Sequence, residues 1–322
     1  MAALQMIIAG AHIVLTTLIL LPLLSQKISL WWLDNLINFQ LQWTALAIVL
    51  IISGIKYSQK FIIPISLFYI AIIVYNFSFL YKQETVKPQH KETLKIAQIN
   101  IQYGNPNIEN LINELKQSDH DVIVLQEVGD DEHKKIRELI KKYPYSVGSS
   151  LLDGFTSGIA VFSRWPIVTK KIHDLGYVES NIIEVIIQSP KQITPIQLFA
   201  LHPVSPRSKT LWLLRNLTLE FVAKRVSTTL QKYSIVIGDM NTSPWSPTFK
   251  NLLDNSKLIN SANGFGYIPS WAHNTSNILT RISSSAYIDH CLISHSFNVL
   301  NKEFQHIDGS DHVLISTELG IE

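Results

Sequence analysis

The chain predicts an α/β fold in which two packed β-sheets are covered by helices, preceded by apolar helices suited to a membrane. Three observations predict it. Strand-like and helix-like periods change places along residues 94–322 without the regular alternation of a doubly wound sheet. Several strand-like runs follow one another directly, as "SGIAVFSR", "NIIEVIIQS" and "ITPIQLFALHPV" do. The first 80 residues, in contrast, hold long apolar stretches with almost no charge.

Residues 6–24 and 61–80 contain no Asp, Glu, Lys or Arg, and each approaches the roughly 20 residues that span a bilayer. Segment 39–55, "FQLQWTALAIVLIISGI", is shorter; it reads as a third span, with a buried or interfacial helix as the alternative. Residues 1–80 are therefore expected to be an anchor of about three transmembrane helices. The opening "MAALQ" lacks the basic side chains of a signal peptide, so the anchor is expected to stay uncleaved. Lys56 and Lys60 stand without an acid, whereas Lys27 faces Asp34, which places 56–60 in the cytoplasm and the rest of the chain outside it. Lys82, Lys87, Lys91 and Lys95 pull the other way. Trp31, Trp32 and Trp43 suit an aromatic belt at the span ends.

Residues 81–93 are polar and carry a proline, as a linker does, and the folded domain is expected over 94–322. There "KIAQINIQ" alternates as a strand, "NIENLINELKQS" repeats Ile108, Leu111, Ile112 and Leu115 at helical spacing, and "DVIVLQEV" reads as a buried strand. "DEHKKIRELIKKY" returns to helix, and "SKTLWLLRNLTLEFVAKRVSTTL" predicts a long one. Further strands are expected at "SIVIGDMN", "YIDHCLIS" and "HVLISTEL".

The whole chain carries a formal charge of +2, but from residue 91 onward 22 Lys and Arg face 23 Asp and Glu, a net of −1. Such a domain lacks the broad basic field behind non-specific nucleic-acid affinity, so nucleic acid is a disfavoured partner. Cys291 is the lone cysteine and excludes an intramolecular disulfide.

Polar groups collect at the ends of the apolar strands: Asn100, Glu127, His202, Asp239 with Asn241, Asp289, and Asp311 with His312. Singly, each fits a turn, a cap or an ordinary loop. Together they suit phosphoester hydrolysis. A hard cation such as Mg²⁺ takes one or two carboxylates and other oxygens, the task that Glu127 and Asn100 fit. A carboxylate such as Asp239 aligns or activates water, and Asn241, His202 and His312 supply donors for charge on phosphate. An imidazole in that role needs an acceptor on its other nitrogen, which Asp289 offers to His312. Asp239 and Asn241, at i and i+2, share one strand face.

The motifs "NIQYGN", "DVIVLQEV", "GIAVFSRWPI", "LHPVSP", "IVIGDMNTSPWSPTF", "YIDHCLIS" and "GSDHVLIS", in this order over residues 94–320, resemble those of the endonuclease/exonuclease/phosphatase superfamily. The apolar lead with "WWLDNLINFQLQW" resembles a bacterial membrane-anchored branch of it. The resemblance implies a four-layered α/β sandwich with a Mg²⁺ or Mn²⁺ site. Glu127 would be the main metal ligand with Asn100 beside it, and Asp311 would lie near the metal or the leaving group. Asp239 would orient or deprotonate water, Asn241 and His202 would contact phosphate, and His312, oriented by Asp289, would stabilise the transition state. Gln98 departs from the small, apolar or Ser residue usual in relatives.

"GFGYIPSW" resembles a specificity loop in which Tyr267 or Trp271 would stack on substrate, against packing as the alternative. Arg164 and Arg207 offer guanidinium forks or plain surface charge, and His290 points to the opposite strand face from Asp289. The expected function is a phosphoesterase anchored in a bacterial inner membrane, its domain outside the cytoplasm, acting on lipid or another small phosphoester. A nuclease and a silent binding module of the same fold are the alternatives, and no protein partner is evident. Glu127, Asp239 and His312 are all present, which favours the enzyme.

Overall fold

The computed structural model describes residues 2–25, 30–55, 59–82, 90–148, 158–191, 195–229 and 231–322. Lys27, Lys56 and linker residues 83–89 lie outside the described residues.

Four helices lead: α1 (Ala2–Leu24), α2 (Trp31–Ile37), α3 (Gln40–Ile55) and α4 (Gln59–Phe77). Their order tracks the expected apolar segments, but their geometry differs. Among the described residues no single helix is long and apolar enough to cross a membrane. The pair Trp31–Ile37 and Gln40–Ile52 passes by length and composition, yet it bends by 67°. The chain turns at Asn38 and Phe39 because α2 docks on the rest of the molecule, with Asp34 and Ile37 buried. α1, α3 and α4 pack together around Leu15, Ile19, Ala47, Tyr69 and Ile72.

The remaining elements are β1 (Glu92–Asn100), α5 (Ile108–Gln117), β2 (Val122–Gln126), α6 (Asp130–Ile136), β3 (Tyr145–Gly148), β4 (Ala160–Ser163), β5 (Ile167–His173), β6 (Ile182–Ile187) and β7 (Ile196–Leu201). They continue with α7 (Lys209–Thr229), β8 (Tyr233–Asp239), α8 (Pro247–Ser256), β9 (Ile259–Asn260), α9 (Ile278–Ser284), β10 (Asp289–Ile293), β11 (Phe297–His306) and β12 (Val313–Ile321). The strands form two mixed sheets, ordered β11-β12-β1-β2-β4-β3 and β5-β6-β7-β8-β10-β9. Their facing sides interlock Leu94, Ile96 and Val124 with Ile235, Ile237 and Cys291. Helices cover both outer faces: Ile108, Leu111, Ile112 and Leu115 of α5 bury against one sheet, and α7 and α8 against the other. Each such side chain contributes about 1.5–3 kcal/mol by leaving water, which makes the helical period of α5 decisive. Two packed sheets flanked by helices are the architecture expected from the sequence.

Gly238 shows why the strand before Asp239 needs glycine. Its φ is +148°, and a Cβ there would lie 1.9 Å from the carbonyl oxygen of Leu201 on β7. Gly238→Ala should therefore cost about 2 kcal/mol or more through backbone displacement. Urea unfolding measures it, and an unchanged midpoint would mean that β7 and β8 can separate freely.

The segment after α4 is not a free tether at its start. Leu80 is fully buried, and its carbonyl accepts from the amides of Gly264 and Gly266 at 2.9 Å each.

Candidate active site

Strand register assembles the site. β1 and β2 run parallel with Asn100 opposite Gln126, so Asn100 meets Glu127, the next residue. β7 and β8 run parallel with Ala200 opposite Ile237, which carries His202 alongside Asp239. β8 and β10 run antiparallel with Asp239 directly opposite Asp289. Asp311 and His312 immediately precede β12, which pairs with β1. Residues spread over more than 200 positions thus meet at one edge of the sandwich.

Asp239 is the hub. Its Oδ2 accepts from Asn100 Nδ2 at 3.2 Å and lies 3.5 Å from His202 Nε2 and 3.7 Å from His312 Nε2. Its Oδ1 accepts from the Asn241 amide at 2.9 Å. His312 Nδ1 donates to Asp289 Oδ2 at 2.8 Å. Glu127 accepts from Asn100 Nδ2 at 2.8 Å and from the Tyr103 amide at 3.1 Å, and it stands 3.8 Å from His202. Ser270 Oγ accepts from the Asp289 amide, and Ser310 Oγ from the His312 amide, fixing both backbones.

Burial and charge set the protonation. Burial opposes a charge on His312, but Asp289, Asp239 and Asp311 outweigh it and lift the imidazole to about 10. Burial likewise opposes a charge on His202, which Asp239 and Glu127 nonetheless raise above the usual value. Burial would raise Asp239, yet the two imidazoles and the Asn241 amide hold it down at about 2. Asp289 rises because it is buried and faces Asp239, against the opposing pull of His312.

A cleft of about 570 Å³ opens over these groups. Glu127, His202, Asp239, Asn241, Asp311 and His312 all line it, and so do Trp271 and Arg207. Trp271 Nε1 donates to Asp311 Oδ2 at 2.8 Å, which ties the aromatic wall to that carboxylate. Among the described non-glycine residues, five have positive φ, and four of them, Gln102, Glu127, Glu179 and Asn241, line the cleft. Backbone held in this costly region concentrates at functional sites.

Several expected residues stand elsewhere. Tyr267 is not in the cleft; its ring packs against Phe77, Trp245 and Tyr287 where the leading helices meet the sandwich. Asn100, at the centre of the site, turns its amide nitrogen to the carboxylates while its Oδ1 accepts from the Gln102 amide, so it bridges Glu127 and Asp239 as a donor. Arg164 pairs with Asp121 at 3.6 Å, away from the cleft. His290 donates to the Thr242 carbonyl and packs on Phe249 and Tyr287, a structural place. Gln98 is fully buried and donates to Asp289 Oδ1 at 3.4 Å.

The donor set fits a hard divalent cation. Carboxyl groups of Glu127, Asp239, Asp289 and Asp311 outnumber the two imidazoles, and hard oxygen donors match Mg²⁺ or Mn²⁺. Asp239, Asp289 and His312 bring ligand atoms within 4.8 Å of one another. The 2.8 Å bond between Asp289 and His312 already occupies that trio. Glu127, open to the cleft, is the better holder.

The Endonuclease/Exonuclease/phosphatase family model matches residues 97–312, two thirds of the chain. The chain belongs to the endonuclease/exonuclease/phosphatase family. It is accordingly a hydrolase of phosphoesters, of the phosphoesterase and nuclease type, and this family generally uses divalent metal ions. No curated relative matches in sequence. Similar solved structures include a family protein from Beutenbergia cavernae, 18% identical, with 72% of each chain covered and a TM-score of 0.58. Sphingomyelinase C from Streptomyces griseocarneus is 16% identical, with coverage of 72% of this chain and all of that one and a TM-score of 0.53. D. rerio TDP2, complexed with a single-strand DNA product, is 14% identical, with 71% and full coverage and a TM-score of 0.57. At these identities the likeness shows the family fold alone.

Proposed function

We propose that the chain is a membrane-attached phosphoesterase, dependent on Mg²⁺ or Mn²⁺, that hydrolyses a lipid or other small phosphoester by attack of an activated water. The observation that carries this reading is Asp239 held within 4 Å of the imidazoles of His202 and His312 beside Glu127, in an open cleft. Glu127 would hold the cation with Asp239 or Asp311 at its side. When bound, such a cation supplies Lewis acidity and lowers the pKa of coordinated water.

The protein's own groups then divide the work. Asp239, held below the usual carboxylate range by the neighbouring imidazoles and the Asn241 amide, orients the attacking water. His312 presents a proton at Nε2 for charge building on phosphate, and Asp289 keeps the ring in place. His202 and Asn241 flank the position of the phosphate. The near-neutral charge of the domain favours a small phosphoester over DNA or RNA.

Membrane attachment is supported by the outer surface of the leading helices, where Ile13, Val14, Val49, Ile52, Leu67 and Val74 are exposed. Exposed apolar area on that scale marks an interaction site. We place the domain outside the cytoplasm of a bacterial inner membrane. A phosphatase reporter fused after Tyr81 should then be active and one fused at Ser58 inactive, and the reverse pattern would put the domain inside.

The function is tested with the purified full chain on phosphatidylglycerol micelles, a phosphomonoester and single-stranded DNA, each with Mg²⁺, Mn²⁺ or EDTA. Hydrolysis of the lipid or the monoester, abolished by EDTA, is expected. A preference for DNA would make the chain a nuclease. Glu127→Gln should raise the Mg²⁺ concentration needed for half-maximal rate at least about tenfold, because the amide keeps the shape but not the charge. An unchanged metal titration would remove Glu127 from the metal.

A further inference from the structure

The cleft has a wall that does not come from the sandwich. Asn35 of α2, with Asn38 and Phe39 in the turn that follows, lines it together with the hydrolytic groups. The wall is fixed from both sides. Asn35 Nδ2 donates at 2.8 Å to the carbonyl of Pro206, in the loop after His202. Asn38 Oδ1 accepts at 3.1 Å from the amide of Ser243, two residues beyond Asn241. Asp34 accepts from Trp212 Nε1 at 2.7 Å, from Arg215 and from Ser246. Arg215 in turn donates at 2.7 Å to the carbonyl of Asn241, whose amide bonds Asp239. An unbroken chain of hydrogen bonds therefore runs from α2 to the hub of the site.

Each of the two asparagines spends one end of its amide on the protein and leaves the other end over. Asn35 Oδ1 and Asn38 Nδ2 make no hydrogen bond to the described residues, and both side chains border the cleft. An acceptor and a donor set on one wall recognise a polar group with hydroxyl or amine functions. A bare phosphate would not reach across 570 Å³ of cleft, but a phosphate carrying a headgroup would. From Phe39 the chain enters α3, whose exposed Leu46, Val49 and Ile52 recur every third residue along one side. Polar recognition at the cleft thus runs directly into an apolar stripe.

We infer that α2 and its C-terminal turn form the headgroup-recognition wall of this phosphoesterase, with Asn35 and Asn38 contacting the polar group esterified to the phosphate of a membrane lipid whose apolar part lies along α3. The inference rests on the proposed phosphoesterase function and adds a substrate class and two specificity residues to it.

Asn38→Asp tests it, because the substitution keeps the acceptor for the Ser243 amide and replaces the free donor by an oxygen. The full chain is assayed on phosphatidylglycerol in mixed micelles, on the deacylated glycerophosphoglycerol and on bis(p-nitrophenyl) phosphate, which lacks a headgroup. The expected result is a loss of kcat/KM at least tenfold greater on the two headgroup substrates than on the nitrophenyl diester, carried mainly by KM. Asn35→Ser should show the same ranking. Equal losses on all three substrates, with or without a lower Tm, would make the wall structural and overturn the inference, as would no loss on any. Wild-type hydrolysis of glycerophosphoglycerol but not of the micellar lipid would refute the lipid source alone, and the ratio between the two soluble diesters would still decide the wall.

Discussion

Asp239→Asn is expected to lower kcat by at least about a hundredfold, the usual scale for losing a group that aligns the nucleophile or stabilises the transition state. The substitution is isosteric, so circular dichroism should still report a folded chain. Two effects add. The attacking water loses its oriented acceptor, and His202 and His312 lose the carboxylate 3.5–3.7 Å away that helps each keep its proton. His312→Ala should cost as much, since it removes the donor at Nε2 outright. Asp289→Asn should cost less, because the ring remains and only its orientation and charge support weaken. The double variant lacking Asp289 and His312 should be little worse than His312→Ala alone, as expected for two groups acting as a unit. Losses that multiply independently, or near-full activity in Asp239→Asn, would sink this mechanism while leaving the fold intact.

The sandwich and its polar edge were legible because their signals are local. Periods of two and 3.6 mark β1, α5 and β8, and an acid or amide closing an apolar strand marks Asn100, Glu127 and Asp239. Orientation was not local. Whether Asn100 gives oxygen or nitrogen to the site depends on Gln102, whose backbone turns to a φ of 62° and takes the oxygen. Tyr267 sits in a glycine-rich loop as a specificity residue would, but the leading helices bring Phe77 against it, a contact across 190 positions. The docking of α2 was the largest omission. In the sequence Asp34 counts only as the acid set against Lys27, and its partner Arg215 stands 181 positions away. A signal did exist. Trp212, Arg215, Leu219 and Val222 recur on the buried side of α7, so that side carries a charge that demands a buried partner of opposite sign.

That pairing yields the second large expectation. Arg215 is 1% exposed at its side chain and Asp34 6%, and burial pulls the guanidinium below its usual pKa while Asp34 alone acts against the loss. Asp34→Ala therefore leaves an uncompensated charge, together with unsatisfied Trp212 and Ser246 donors. The expected cost is about 3–5 kcal/mol, against roughly 5–15 kcal/mol for the whole of a typical domain. Removing residues 1–80 should do similar harm, since α2 carries Asp34 into the folded core. The paired substitution Asp34→Leu with Arg215→Met should recover much of the stability, because neither charge is then stranded. Activity should not recover with it, since Arg215 no longer holds the Asn241 carbonyl and the backbone beside Asp239 is freed. Urea unfolding and kcat measured on the same three proteins separate the two effects. If Asp34→Ala unfolds at the wild-type urea concentration, α2 is a passenger on the sandwich; if the stabilised double variant regains full activity, the bond from Arg215 to Asn241 has no part in shaping the site.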